Sequence, residues 1–137
     1  MRRGPDGAIS TATNRLQMLH SFPAFSYEWN GGRATWRGPL QPRPGGAIYR
    51  IRIMAHGAMR PKVIVCSLPL DPRPPHLYPD DTLCLYDPRN RGWHVGRPIA
   101  GTIVPWTAEW LLFFEIWQET GTWWGPEAPH ATGAPKR

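Results

Sequence analysis

The sequence has few cysteines and no long apolar run. Only Cys66 and Cys84 occur among 137 residues, whereas small secreted domains held together by disulfides carry several paired cysteines. We therefore expect a reducing compartment, the cytoplasm, and no disulfide framework. No stretch approaches the roughly 18 consecutive apolar residues of a membrane-spanning helix, and the N-terminal Met-Arg-Arg leads into Gly, Pro and Asp. Neither a membrane span nor a secretory signal is predicted.

Lysine is nearly absent, and arginine carries the positive charge of the chain. Fourteen of the sixteen basic residues are Arg, and the formal net charge is +6. The arginines are scattered along the chain and form no block, and Pro and Gly are abundant beside them, as a GC-rich coding sequence would produce. The sequence therefore does not predict a nucleic-acid partner.

The length and the apolar content of 41% suit one domain that spans residues 1–137. We expect residues 1–9 and 131–137 to be flexible, because neither end has apolar periodicity. The first regular element is predicted within STATNRLQMLHSFPAF, where Thr and Asn are candidate N-caps and Pro23 ends a short helix.

A run of strands is predicted after this helix. The segments FSYEWNGG and RATWRGPL flank a Gly-Gly turn, and GAIYRIRIMAHG places Tyr49, Ile51 and Ile53 on one face. This period of two indicates a sheet with one solvated face. The denser apolar run PKVIVCSLPL favours a more central strand, in which Cys66 is a small buried hydrophobe.

The segment DPRPPHLYPDD contains four prolines in eleven residues and is predicted to be an irregular loop. Loops on a rigid sheet often carry binding and catalytic groups. Beyond it, VPWTAEWLLFFEIWQETG predicts a helix over about 104–120, with Pro105 in its first turn and Gly121 at its end. At 100° per residue, four large rings share one face that should pack on the sheet, with three polar side chains opposite. The rings are Trp106, Trp110, Phe113 and Trp117, and the polar residues are Glu115, Gln118 and Glu119. The two tryptophans of TWWGPEAPH should pack beside this helix.

Cys84 lies in a segment whose neighbours are mixed in character. Leu83 and Leu85 would anchor the chain, while Asp80, Asp81 and Asp87 bracket the thiol with turns. A nucleophilic cysteine is expected on an accessible and polar segment, because the thiolate is the reactive form.

The stretch PHLYPDDTLCLYDP resembles the active-site segment of ubiquitin-conjugating enzymes, and the order of helix, strands, proline-rich loop, cysteine and crossover helix agrees with that family. More closely, LYPDDTLCLY, TIVPWTAEWLLFFE and TGTWWGPEAPH are similar to the prokaryotic members encoded beside cGAS-like nucleotidyltransferases in antiphage (CBASS) operons. This similarity covers roughly residues 46–130.

The resemblance implies an α+β fold of the ubiquitin-conjugating (UBC-like) type, an antiparallel sheet of about four strands backed by the helix at about 104–120. It also implies that Cys84 carries the C-terminal acyl group of a partner as a thioester and passes it to an amine. The implied partner is a cGAS-like nucleotidyltransferase or a ubiquitin-like carrier, with or without a separate activating enzyme. No cofactor and no metal are implied.

Four further residues are candidates for the site. Where the family has an Asn eight positions before the cysteine, this chain has His76, which could donate a hydrogen bond or take a proton from an incoming amine. The alternative is an exposed loop histidine that shapes a turn. Tyr78 matches the family tyrosine and is expected to pack, Asp81 is a possible supporting residue, and His130 is a candidate to fold back toward the thiol.

Three other functions use some of the same residue types or the same fold. His76, Cys84, His94 and His130 are residue types that zinc accepts, but none of them is paired at the spacing of two to four residues typical of structural zinc sites. A papain-like hydrolase would need a cysteine at a helix start, which Pro88 opposes. A non-catalytic binding module with the same fold stays open, and the presence of Cys84 favours the enzyme.

Overall fold

The computed structural model describes residues 7–86 and 92–125. Within these ranges the chain forms a short N-terminal helix, a four-stranded antiparallel sheet in the order β1-β2-β3-β4 and a long C-terminal helix. The bounds are α1 Thr11–Ser21, β1 Ser26–Asn30, β2 Arg33–Leu40, β3 Tyr49–His56, β4 Lys62–Val65 and α2 Ile103–Thr120. The predicted α+β fold is confirmed. Neither of these two helices has the combination of length and hydropathy that a membrane crossing requires.

The alternation of side chains builds the core side of the sheet. Gly31 and Gly32 turn the chain between β1 and β2 with positive φ angles of 57° and 85°, which glycine adopts at no steric cost. In β3, Ile51 and Ile53 are buried as predicted, while Arg50 is exposed. The two isoleucines form one core with Trp36 of β2 and with the inner face of α2.

The apolar strand β4 lies at the edge of the four-stranded sheet and not at its centre. Val63 and Val65 are buried, whereas Lys62 and Ile64, which alternate with them, are half-buried. Cys66 follows directly after the strand and is exposed. The prediction of a central strand with a buried Cys66 is therefore wrong, because residues 62, 64 and 66 face outward while only alternate residues reach the core.

Helix α1 forms where it was predicted, but it contributes little to the core. Its N-cap is Ser10 and not one of the Thr and Asn residues predicted for this position, because the Ser10 hydroxyl accepts a hydrogen bond from the Thr13 N–H at 3.1 Å. Met18 is buried, whereas Leu16 and Leu19 are exposed. Polar contacts also hold the helix, since Asn14 accepts a hydrogen bond from the Ile99 N–H at 3.2 Å and the Arg15 guanidinium lies 4.5 Å from the centroid of the Tyr27 ring.

Helix α2 packs on the sheet through a face rotated away from the predicted aromatic stripe. Pro105 lies in its first turn, and Gly121 ends it with a φ of 79°. Trp110 is fully buried, but the other three predicted rings are only partly buried and flank the contact. The buried residues are Ile103, Val104, Thr107, Trp110, Leu111 and Phe114.

Glu115 was predicted to face solvent, and the structure corrects this. Its carboxylate accepts a hydrogen bond from the Tyr49 hydroxyl at 2.7 Å and pairs with Arg43 at 3.1 Å. Burial, together with the nearby carboxylate, raises the pKa of Tyr49. Gln118 and Glu119 are exposed, as predicted. The contact ties the β2–β3 connection to α2.

Candidate active site

The proline-rich segment is irregular as predicted, but it ends in a short hairpin that precedes Cys84. Leu77 pairs with Leu83 across the hairpin, and both are buried in the core. The Tyr78 N–H donates to the Thr82 carbonyl at 2.8 Å. The Leu83 N–H donates to the Val63 carbonyl at 3.0 Å, so the hairpin attaches to the edge strand β4.

The sequence Tyr-Pro-Asp-Asp-Thr explains the hairpin turn. The Asp81 N–H donates to the Tyr78 carbonyl at 2.9 Å, with Pro79 at the second turn position, where its fixed φ suits the chain. Asp81 adopts a positive φ of 69°, which Asp tolerates better than most residues. Its carboxylate pairs with Arg73 at 2.7 Å, so this predicted supporting residue stabilises the turn.

Asp80 is the best-satisfied carboxylate of the turn. It accepts hydrogen bonds from the Thr82 hydroxyl at 2.6 Å and from the Thr82 N–H at 3.1 Å, and it pairs with Lys62 at 3.1 Å. These contacts, the Thr82 hydroxyl above all, lower the pKa of Asp80 to about 2. Asp80 is therefore ionised at neutral pH.

His76 holds Cys84 in place through its backbone. Its carbonyl accepts hydrogen bonds from the Cys84 N–H at 2.9 Å and from the Trp110 indole N–H at 3.1 Å. The residue is 9% exposed, has a positive φ of 62°, and its ring lies 4.9 Å from that of Trp123. The alternative of an exposed loop histidine is therefore wrong.

The thiol of Cys84 is less accessible than the sequence suggested. Cys84 is 9% exposed, and burial raises the pKa of its thiol to about 12. The charge of Arg60 and a hydrogen bond from the Tyr78 hydroxyl act in the opposite direction. The Tyr78 hydroxyl therefore lies close enough to the thiol to favour its ionisation, in addition to the packing role that was expected.

Arg60 is the residue of this site that sequence reasoning missed. Its guanidinium lies 4.2 Å from the centroid of the Tyr78 ring, and its charge opposes the burial that raises the pKa values of Tyr78, Cys84 and Tyr86. Within the described part of the chain, Arg60 forms no ion pair with a carboxylate. Its positive charge therefore acts on the Cys84 thiol and on the hydroxyls of Tyr78 and Tyr86.

Removing this charge should slow the reaction of the thiol. We expect Arg60→Gln to lower the rate at which iodoacetamide alkylates Cys84 by about two- to fivefold at low ionic strength, with a smaller effect in high salt. Arg37→Gln, which removes an exposed charge from β2, should leave this rate unchanged. Mass spectrometry of the Cys84 peptide measures both, and equal rates in the two variants would exclude a role for Arg60.

The remaining histidine candidates are not brought to the thiol by the described residues. His94 is exposed, and its Nδ1 accepts a hydrogen bond from the Gly96 N–H at 3.1 Å. His130 lies outside the described residues. Across 7–86 and 92–125, no three His, Cys, Asp or Glu side chains come together as a metal site would require.

One of the two adjacent tryptophans packs where the sequence predicted. Trp123 is buried against Trp110 and Phe113, with ring centroids 5.3 Å and 6.0 Å apart, whereas Trp124 is 66% exposed. The chain after α2 thus returns to the side of the helix that faces His76.

One known protein family matches most of the chain. The model of the Type II CBASS E2 protein family matches residues 14–131, a range that includes the sheet, the hairpin, Cys84 and α2. E2 is the usual term for ubiquitin-conjugating enzymes. A search of curated proteins found no significant match. The chain therefore belongs to the Type II CBASS E2 protein family.

Proposed function

We propose that the protein is an E2-like transferase of CBASS antiphage defence that carries the C-terminal acyl group of a partner protein as a thioester on Cys84. The partner is a cGAS-like nucleotidyltransferase, and the acceptor is an amine, usually a lysine. The observation that carries the proposal is the arrangement of groups around Cys84. The Cys84 N–H is fixed by the His76 carbonyl, and the Tyr78 hydroxyl and the Arg60 charge act on its sulfur.

The proposed reaction has two steps. The Cys84 sulfur attacks the activated acyl carbon of the partner, a C–S bond forms, and the bond to the activating group breaks as that group leaves with the electron pair. The acceptor amine then attacks the same carbon, a C–N bond forms, and the C–S bond breaks. The amine loses a proton and the released thiolate regains one.

The burial of the thiol sets a condition on this mechanism. With a pKa of about 12, the thiolate population at neutral pH is only about one in 10⁵. Docking of the partner is therefore proposed to expose the sulfur, while Tyr78 and Arg60 stabilise the thiolate that forms. The imidazole of His76 is proposed as the hydrogen-bond donor to the developing oxyanion or as the acceptor of the amine proton.

The test is covalent capture. The protein is co-expressed with its neighbouring operon proteins and run on a gel with and without thiol. We expect an adduct that thiol removes, and Cys84→Ser should abolish it or convert it into a thiol-resistant ester. Cys66→Ser is the matched control, because Cys66 is exposed and lies outside the hairpin. An adduct that survives Cys84→Ala and disappears with Cys66→Ser would contradict the proposal.

The burial of Cys84 favours a second candidate, a non-catalytic module that binds the same partner. This candidate predicts a complex with the nucleotidyltransferase that withstands Cys84→Ala and never gives a covalent band. Size-exclusion chromatography of the mixed proteins, followed by a denaturing gel without thiol, separates the two functions.

A further inference from the structure

The outer face of the sheet gathers arginines that are scattered in the sequence. In the antiparallel register, Arg33 is opposite His56, Arg37 is opposite Arg52, and Lys62 is opposite Met54. Because alternate residues of each strand share a face, these side chains lie on the side of the sheet away from α2. The face is therefore strongly basic.

This face contains a pocket of about 300 Å³ at the β3–β4 end. Three of its lining residues, Arg33, Arg60 and Lys62, carry positive charge, and Met54, Met59 and Ile64 add apolar surface. Among the described residues that line the pocket, Asp80 is the one that is acidic. Its carboxylate already pairs with Lys62 and accepts a hydrogen bond from the Thr82 hydroxyl. The pocket therefore has an excess of positive charge.

The pocket adjoins the hairpin that precedes Cys84. Thr82 lines it, and Thr82 and Cys84 flank Leu83, whose side chain is in the core. In an extended chain, residues on either side of a core residue point the same way, so Thr82 and Cys84 lie on the same side of the hairpin, where both are buried. Arg60 lines the pocket, its guanidinium contacts the ring of Tyr78, and its charge acts on the Cys84 thiol.

We propose that this pocket binds an acidic segment of the protein partner, next to the C-terminus that reacts at Cys84. The identity of that partner rests on the proposed function. Three cations around a small volume complement carboxylates, and the methionine and isoleucine surface suits the aliphatic stem of glutamate. The volume accommodates one or two side chains. A polynucleotide would instead need a continuous cationic track, which Glu28 and Asp80 interrupt on this face.

The test is the binding of a fluorescein-labelled six-residue peptide amide with two glutamates and a Gly-Gly end, measured by fluorescence anisotropy. We expect the same peptide with glutamines in place of the glutamates to bind about tenfold more weakly. The double variant Arg33→Gln and Lys62→Gln should weaken binding of the acidic peptide by a similar factor. The double variant Arg37→Gln and Arg50→Gln removes the same charge from the same face outside the pocket, and it should change binding less than twofold.

Several results would overturn the proposal. The two peptides could bind with equal affinity, or the two double variants could lose affinity for the acidic peptide to the same extent. The acidic peptide could also fail to bind at millimolar concentration. Tighter binding of a single-stranded oligonucleotide that depends on Arg33 and Lys62 would assign the pocket to nucleic acid. Lys62→Arg should retain binding, which distinguishes lost charge from a disturbed hairpin. A peptide amide has no activated carboxyl group and cannot form a thioester, so this experiment measures noncovalent binding alone. Its result is therefore independent of whether an adduct forms at Cys84.

Discussion

In the native protein near neutral pH, iodoacetamide is expected to alkylate Cys66 at least about 50-fold faster than Cys84. Burial raises the pKa of the Cys84 thiol from 9.0 to about 12, which lowers its thiolate population about 10³-fold. The higher basicity of that thiolate recovers only part of this factor, about 10¹·⁵, because nucleophilicity rises with about the 0.4–0.5 power of basicity. Burial of the sulfur slows the approach of the reagent further, whereas Cys66 is exposed.

The alkylation rate of Cys84 is expected to rise with pH. A raised pKa means that the protonated thiol predominates up to about pH 12, so the Cys84 rate should rise about tenfold per pH unit through pH 8–10 without a plateau. Peptide mapping by mass spectrometry follows both cysteines in one sample. In guanidinium the two rates should become similar, which is the control. Native Cys84 rates equal to those of Cys66 would show an exposed sulfur with an ordinary pKa.

The same raised pKa values make the fold sensitive to base. A thiol or phenol with a higher pKa in the folded chain contributes stability that is present below its ordinary pKa and is lost as the pH rises toward the folded value. Cys84, Tyr78 and Tyr86 all behave in this way, and they lie around one site. Alkaline pH should therefore loosen the region of the hairpin before it affects the aliphatic core.

Local sequence patterns correctly predicted the features that depend on residues close together in the chain. The inward Ile51 and Ile53 of β3, the Gly-Gly turn and the left-handed Gly121 were all predicted, since alternation and turn chemistry act over a few residues. The face of α2 was not predicted correctly. Side-chain size favoured the rings, but close packing on the sheet selected residues such as Thr107 and Leu111.

The parts of the site that sequence reasoning missed come from distant segments. Arg60 follows β3, and the register of the sheet together with the 77–83 hairpin brings it to Tyr78. No local pattern marks such a residue. The basic face has the same origin, because arginines that form no block along the chain are collected by strand alternation. The expected accessibility of Cys84 failed for a related reason, since burial depends on what packs over the hairpin.

Trp123→Ala is expected to lower the free energy of unfolding by about 3–5 kcal/mol, while Trp124→Ala should change it by less than about 0.5 kcal/mol. The adjacent residues form a matched pair, because Trp123 is 6% exposed and Trp124 is 66% exposed. The ring of Trp123 packs against those of Trp110, Phe113 and His76, so its removal leaves a large cavity beside α2.

Trp123→Ala should also change the reactivity of the Cys84 thiol. His76 fixes the Cys84 N–H through its carbonyl, and the Trp123 ring is one of the groups that hold His76 in its left-handed conformation. Trp123→Ala is therefore expected to raise the alkylation rate of Cys84 under native conditions, whereas Trp124→Ala should leave this rate unchanged. Urea denaturation followed by circular dichroism gives the stabilities, and peptide mapping gives the rates. A large loss of stability with an unaltered Cys84 rate would mean that Trp123 supports α2 alone, and that the Trp110 indole and the Cys84 amide are sufficient to hold the His76 carbonyl.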